Sequence, residues 1–190
     1  MSKQRRRIRK TQKRRKLESK TDYMKRIKIL KSELPRVVFR KSNRYIGAQL
    51  VESSEAQDSV KISVYSKILL SYGWPKEYSG SLKSIPASYL TGLIMGKEIK
   101  KLKKTKVIID IGMNRNVHKS RIYAFVKGLV DTGIHINSKK EIFPDEKRIR
   151  GEHMKNKKIH EMFDKIKSKI GEDKWVKKQK TTMKLKKKLK

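Results

Sequence analysis

Residues 106–112, Lys-Val-Ile-Ile-Asp-Ile-Gly, form a short and almost continuous apolar run that ends in glycine. A run of this length is typical of a buried strand, so we expect a central strand covered on both faces. Two segments with helical periodicity flank it, at 84–102 and 120–133. A strand between two helices predicts a parallel crossover, and therefore an α/β fold with a mixed sheet and helices packed on it.

Both flanking helices carry signals for where they begin or end. Ser84 can cap the first helix, with Pro86 in its first turn. Ser120 can cap the second helix, and Gly133 fits the position just after its end. Small residues that suit close packing against a sheet occur along the first helix, at Ala87, Gly92 and Gly96.

The segment before residue 84 predicts one helix and three strands. Thr21 and Asp22 precede an apolar stripe at helical spacing, and Pro35 is expected to stop that helix. Strands are predicted at 37–39, 45–51 and 60–65, the first two forming a hairpin around 40–44.

The segment after residue 133 is less regular. Residues 134–154 have no clear periodicity and are predicted to form an ordered loop. The next helix is predicted at 155–170, where four apolar residues recur at helical spacing: Ile159, Met162, Phe163 and Ile166.

Basic residues dominate the composition. Fifty-three of the 190 residues are Lys or Arg and 18 are Asp or Glu, which gives a formal net charge of +35. A compact protein of this size repels itself at such a charge, so a polyanionic partner is implied. Because the ends are the most basic parts, we expect a basic N-terminal arm at 1–20, a mixed α/β core at 21–154 and a basic helical or disordered extension at 155–190.

Several function classes are disfavoured. The chain has no cysteine, which excludes disulfides, thiolate metal sites and a cysteine nucleophile, and is typical of a reducing compartment. It has neither a signal-like apolar N-terminus nor a run of about 18 apolar residues. We expect an intracellular protein with no membrane, cofactor or small-molecule substrate.

Three local patterns have a functional and a simpler interpretation. Residues 92–97 resemble a phosphate-binding loop, but the spacing of their glycines is too short and they lie inside a helical pattern, which favours helix packing. The histidines have no metal-site spacing, which favours surface or RNA-contacting roles for His118, His135, His153 and His160. The Lys/Leu end at 183–190 has few apolar residues for a membrane and is better suited to phosphates.

Asp110 is the candidate for an enzymatic alternative. A carboxylate on a buried strand could hold Mg²⁺ in a nuclease, with Glu98 and Asp131 as companions. The simpler interpretation is that Asp110 bonds a backbone group or a basic neighbour at the strand end.

The predicted hairpin connection is suited to RNA. Residues 39–45, Phe-Arg-Lys-Ser-Asn-Arg-Tyr, mix cations, short hydrogen-bonding side chains and flanking aromatics. Arginine binds phosphate oxygens in a bidentate manner, and tyrosine can stack on an unpaired base. A solvated turn with scattered charge is the alternative.

Motifs spread over residues 21–154 occur together in one order: Thr-Asp-Tyr (21–23), Leu-Lys-Ser (30–32), Pro-Arg-Val-Val (35–38), Arg-Lys-Ser-Asn-Arg-Tyr (40–45), Ala-Gln-Leu-Val (48–51), Tyr-Gly-Trp (72–74), Pro-Ala-Ser-Tyr-Leu-Thr-Gly-Leu (86–93), Asp-Ile-Gly-Met-Asn (110–114) and Arg-Gly-Glu-His (150–153). Together they resemble the 5S-rRNA-binding family of the large ribosomal subunit, eighteenth in the universal series, in its archaeal form.

The resemblance implies a ribonuclease-H-like α/β core without enzymatic activity, located in the cytoplasmic ribosome. It implies that the protein docks 5S rRNA to 23S rRNA in the central protuberance, beside other large-subunit proteins. A general nucleic-acid-coating protein is the alternative, and a nuclease the less favoured one. The residues expected to contact RNA are Arg5, Arg6, Arg7, Arg9, Lys10, Arg14, Arg15, Lys16, Tyr23, Arg26, Arg36, Arg40, Lys41, Ser42, Asn43, Arg44, Tyr45, Arg150 and His153.

Overall fold

The computed structural model describes residues 13–54, 57–154 and 158–171. The helices in this part of the chain are α1 (Arg14–Leu17), α2 (Tyr23–Leu30), α3 (Ile85–Lys101), α4 (Arg121–Asp131), α5 (Glu146–Arg150) and α6 (Lys158–Gly171). The strands are β1 (Arg36–Lys41), β2 (Ile46–Ser54), β3 (Gln57–Tyr65) and β4 (Ile108–Asp110). Short 3₁₀ turns cover Ser66–Tyr72, Lys76–Ser81 and Lys140–Ile142.

The four strands form one mixed sheet in the order β3-β2-β1-β4. β1, β2 and β3 pair antiparallel, whereas β4 pairs parallel to β1, with Val37 opposite Ile109. The predicted crossover and the predicted α/β fold with a mixed sheet are therefore confirmed.

The expectation that residues 106–112 form a central strand is wrong. Only Ile108–Asp110 is a strand, it lies at the edge of the sheet, and all three residues are half-buried. Just before β4 in the chain, Lys106 pairs with His135 in a single isolated bridge. Val107 belongs to the buried core, Ile109 and Ile111 pack against that core, and the run lines a cavity together with residues of α4 and of the segment 134–142. These surroundings account for the hydrophobicity of the run without a second neighbouring strand.

Alternation along the strands divides the sheet into two faces. One face is buried under α3 and α4 and carries Val37, Phe39, Ala48, Leu50 and Val64. The ring of Phe39 lies 5.2 Å from the ring of Phe125 on α4. We call the opposite face the open face, and it carries Arg40, Gln49 and Tyr65.

Helices α3 and α4 approach so closely that only glycine fits at their contact. A Cβ atom on Gly92 would lie 2.3 Å from the carbonyl oxygen of Phe125, and one on Gly128 would lie 2.4 Å from that of Tyr89. The predicted role of residues 92–97 in helix packing is therefore confirmed. The hydroxyl of Tyr89 also donates a 2.7 Å hydrogen bond to Asp131, and burial together with this bond raises the pKa of Tyr89.

The helix caps follow the sequence signals with one exception. Asp22 accepts hydrogen bonds from the backbone of the first turn of α2, and Ser84 accepts one from Ala87 in α3. Ser120 occupies the cap position of α4, but its hydroxyl makes no cap bond and has no hydrogen-bond partner among the described residues. Helix α2 ends at Leu30, five residues before the proline that was predicted to stop it.

The C-terminal part adds two helices to the layer over the buried face. The expectation of an ordered loop at 134–154 misses α5, in which only Ile149 is buried. Helix α6 buries the predicted apolar stripe, and the ring of its Phe163 lies 5.8 Å from that of Tyr89. The ammonium of Lys97 donates hydrogen bonds to the carbonyl groups of Ile170 and Gly171 at the end of α6.

We expect Gly128→Ala to destabilise the protein. Alanine gains about 1 kcal/mol of helix propensity over glycine, but the new methyl group meets backbone atoms that cannot move aside, and such overpacking costs about 1–3 kcal/mol or more. Thermal unfolding should show Tm lower by several degrees. The control is Gly80→Ala, because a Cβ atom there meets nothing within 4 Å. An unchanged or higher Tm for Gly128→Ala would contradict the packing described.

Candidate nucleic-acid interface

The end of the predicted basic arm folds back towards α2. Residues 13–20 include the one-turn helix α1, and the guanidinium of Arg15 donates a 2.9 Å hydrogen bond to the hydroxyl of Thr21. The ammonium of Lys13 lies 4.5 Å from the ring centre of Tyr23, a cation–π contact. Arg14 and Lys16 are exposed. These contacts direct the arm towards the first turn of α2.

Asp58 holds two arginines at one end of the open face. Its Oδ2 accepts a 2.8 Å hydrogen bond from Arg26 on α2 and a 2.6 Å bond from Arg36 on β1. Its Oδ1 accepts a 2.8 Å bond from the hydroxyl of Ser53. One carboxylate therefore fixes α2 to the sheet, although no side chain of α2 is fully buried.

The ionisation of Asp58 reflects these partners. Partial burial opposes the charge and by itself would raise the pKa of Asp58. The hydrogen bond from Ser53 and the charges of Arg36 and Arg26 outweigh burial, so the pKa lies below its ordinary value. The carboxylate is therefore ionised throughout the physiological range, and the cluster carries one net positive charge.

Arg40 joins the hairpin to β4. Its Nη1 donates hydrogen bonds to the carbonyl oxygens of Phe39 at 2.8 Å and Asp110 at 3.0 Å, and its Nη2 lies 3.5 Å from the Asp110 carboxylate. The guanidinium lies on Gly112, where a Cβ atom would be 2.9 Å from Arg40 Cζ. Gly112 has a φ of 60°, which glycine adopts without strain. Arg40 is thus held in place while about half of its side chain remains exposed.

The hairpin turn is closed by its own serine. Ser42 N donates a 2.8 Å bond to the Tyr45 carbonyl, and Tyr45 N donates a 2.9 Å bond to the Ser42 hydroxyl. These bonds leave Asn43 and Arg44 exposed at the tip, next to the exposed Lys41. The turn therefore presents cationic and amide groups on a short, hydrogen-bonded connection.

A groove of about 390 Å³ connects these elements, and we call it the α2 groove. Seven cationic side chains, two carboxylates and three isoleucines are among the residues that line it. The cations are Arg15, Lys20, Lys25, Arg26, Lys28, Arg36 and Arg40. Four predicted RNA-contacting residues, on α1, α2 and β1, thus come together in one concave basic surface, as phosphate binding requires.

Some predicted residues are buried or lie elsewhere. Arg36 is only 5% exposed, and its Nε has no hydrogen-bond partner among the described residues. Arg150 ends α5 and lines a different cavity with Tyr89 and Lys127, on the helix-covered side, and His153 follows in the next turn. The predictions for Arg5, Arg6, Arg7, Arg9 and Lys10 fall outside the described residues.

Sequence reasoning missed part of the groove. Lys20, Lys25 and Lys28 line it but were not among the expected contacts. The spacing of Lys25 and Lys28 on α2, three residues apart and next to Arg26, was a usable signal. No pattern pointed to Asp58, because its two arginines are distant in sequence.

The three carboxylates of the nuclease alternative do not converge. Asp110 accepts a 2.8 Å bond from Gly112 N and faces Arg40, Glu98 pairs with Lys101, and Asp131 accepts from Tyr89. The simpler interpretation of Asp110 is confirmed. Within residues 13–54, 57–154 and 158–171, no group of three or more His, Asp or Glu side chains is arranged to hold a metal ion. None of the helices there combines the length and apolarity needed to cross a bilayer.

The profile of a family described as "Ribosomal large subunit proteins 60S L5, and 50S L18" matches residues 6–106. Large ribosomal subunit protein uL18 of Korarchaeum cryptofilum is 48% identical over 141 residues, which are 74% of this chain and 70% of the relative. The protein of the same name from Methanothrix thermoacetophila is 42% identical over 139 residues, 73% of this chain and 80% of the relative. That of Methanococcoides burtonii is 39% identical over 161 residues, 83% of this chain and 91% of the relative.

The chain belongs to this family of large-subunit ribosomal proteins. The resemblance to this family is confirmed, including its archaeal type. The members are structural proteins of the ribosome, which confirms the expectation of a non-enzymatic chain.

We expect Asp58→Asn to lower stability in a pH-dependent way. The charge-assisted bonds to Arg26 and Arg36 are worth about 1–3 kcal/mol. Because the folded-state pKa of Asp58 is depressed, this contribution is complete above about pH 4 and is lost as the pH falls through the folded-state value.

Urea unfolding of both proteins at pH 6 and near pH 2.5 tests this expectation. The variant should be less stable than the wild type at pH 6, and the difference should shrink in acid. Glu146→Gln is the control. Its carboxylate is 81% exposed and lies 3.9 Å from Lys127, and such an exposed ion pair adds little to stability, so this substitution should change the free energy of unfolding little at either pH. Equal losses at both pH values would argue against an ionic role for Asp58.

Proposed function

We propose that this chain, as a member of that family, binds 5S rRNA and docks it to 23S rRNA in the central protuberance of the large subunit. The observation that carries the proposal is the α2 groove, with Arg40 fixed at its edge. The groove is concave and basic, and the cationic hairpin tip stands beside it. This shape suits a folded RNA backbone, which binds through phosphates and ribose hydroxyls.

The roles of the predicted residues divide by exposure. Exposed cations with few internal bonds are the proposed phosphate ligands, foremost Arg44 and Lys41 at the hairpin. Arg15, Arg26 and Arg40 are held by neutral or acidic partners and contact RNA with their remaining donors. Arg36 is proposed to act indirectly, because it is buried and holds Asp58 in place for Arg26.

The organisation of the chain supports a single RNA-binding core with extensions. We propose a basic arm at 1–20, a core at 21–154 with a ribonuclease-H-like arrangement of sheet and helices, and a C-terminal extension at 155–190. The first part of the extension includes α6, which packs on α3 and buries five apolar side chains. Arm residues Arg5 to Lys10 are proposed to contact the same RNA as the groove.

Contacts to 23S rRNA and to neighbouring proteins need surfaces besides the groove. Arg150 and His153 lie on the helix-covered side, and we propose that they face RNA other than that in the groove. The name of the relatives, large ribosomal subunit protein, supports a location in the cytoplasmic ribosome for this chain as well. The general nucleic-acid-coating alternative has only the net charge in its favour.

We expect Arg44→Ala to weaken binding to 5S rRNA and to reduce its salt dependence. Each lost phosphate contact should lower the slope of log affinity against log salt by about 0.7–0.9. Filter binding between roughly 0.05 and 0.3 M salt measures both quantities. The control is Lys165→Ala, which removes an exposed cation from α6 on the helix-covered side and should change neither quantity. Equal effects of the two variants would refute the role of the hairpin.

We also expect a strong preference for 5S rRNA over duplex DNA of similar length. A shape-matched complex should exceed non-specific phosphate binding by on the order of 100-fold or more at physiological salt. Competition titration of labelled 5S rRNA with unlabelled DNA measures the ratio. A ratio near one would favour the coating-protein alternative.

A further inference from the structure

We propose that the open face holds one unpaired base of the bound RNA against the ring of Tyr65. This subsite rests on the proposed function, since the base belongs to the RNA in the α2 groove. Tyr65 was not among the residues expected to contact RNA. The argument depends on its exposure, on the glycine beneath it and on the cation in the same row of the sheet.

Tyr65 is a large aromatic side chain that the fold leaves open. It is the last residue of β3 and is 53% exposed. The alternation of the strand points it away from the core, while its neighbour Val64 is buried. An exposed ring on the rigid part of a sheet suits a stacking platform better than one on a mobile loop.

Gly47 makes room for the ring. It lies directly opposite Tyr65 in the β2–β3 pair, and a Cβ atom there would be 2.9 Å from Tyr65 Cε1. The ring therefore rests over the backbone of β2 and leaves its other side to solvent. The hydroxyl of Ser66 accepts a 3.0 Å bond from Ile46 N and fixes the end of β3 beside β2. A ring held in this way loses little conformational entropy when a base stacks on it.

A phosphate ligand lies in the same row. Gly47 is also opposite Arg40 in the β1–β2 pair, so Arg40, Gly47 and Tyr65 form one row across the open face. Adjacent strands are about 4.8 Å apart, which puts the backbones of Arg40 and Tyr65 roughly 10 Å apart. The Arg40 guanidinium turns from this row towards Asp110 and Gly112 on the β4 side, so the ring and the cation are further apart than the two backbones. We therefore assign the stacked base and the phosphate at Arg40 to neighbouring nucleotides of one RNA strand.

The next row of the face supplies hydrogen-bonding groups. Gln49 lies opposite Ser63, and its Nε2 donates a weak 3.4 Å bond to the serine hydroxyl. Rows on one face are about 7 Å apart, so an amide and a hydroxyl lie within reach of the edge of a stacked base. An aromatic ring beside cations and neutral polar groups is the arrangement with which proteins bind single-stranded RNA.

Filter binding of 5S rRNA to Tyr65→Ala tests the proposal. Loss of a stacked base should weaken binding by roughly tenfold, within a range of about 5- to 150-fold. Because no charge is removed, the slope of log affinity against log salt should stay at the wild-type value. Tyr65→Phe keeps the ring and should bind within about twofold of the wild type.

Gly47→Ala provides a second variant that leaves Tyr65 in the chain. The new methyl group should displace the ring and weaken binding, again with an unchanged slope. Thermal unfolding of each variant confirms that it is folded. Wild-type affinity in Tyr65→Ala, or a weaker affinity with a reduced slope, would overturn the stacking proposal while leaving the proposed function intact. Failure of the wild type itself to bind 5S rRNA would refute the proposed function and this subsite together.

Discussion

The close contact of α3 with α4 is the constraint on which the rest of the structure depends. Gly92 and Gly128 bring the two helix backbones together, and the pair presents Phe125 to Phe39 of the sheet. Because this layer and α6 supply most of the apolar partners of the sheet, the buried face needs no further cover. The open face is thereby left for polar and cationic side chains, and the candidate interface lies there.

Carboxylates organise a surface that would otherwise be a set of repelling cations. Asp58 binds Arg26 and Arg36, Asp110 faces Arg40, and Asp22 caps α2. Each acid lowers the local repulsion, and Asp58 and Asp110 also fix the direction of their guanidinium partners before RNA arrives. The groove remains strongly basic, because seven cations line it beside two carboxylates. A preorganised basic surface loses less entropy on binding than flexible side chains would.

Burial separates arginines that the sequence presents as equivalent. Arg36 and Arg40 lie on the same strand and both point to the open face, but Arg36 is covered and Arg40 is half-exposed. The difference follows from α2, which lies against the Asp58 end of the face and leaves the hairpin end free. The cations nearest the hairpin are therefore the ones with donors available for RNA, and Tyr65 lies beside them at that same end.

Local patterns in the sequence determined most of the helices and strands and the apolar faces of α3, α4 and α6. They also determined the capping roles of Asp22 and Ser84 and the basic character of the interface. These features depend on residues within a few positions of one another, and the colinear motifs added the family. Only the tertiary structure decided that β4 lies at an edge, that Asp58 joins two distant arginines and that Gly47 supports Tyr65. Strand order and cross-strand register bring together residues far apart in the chain, and no local periodicity encodes which distant strand becomes a neighbour.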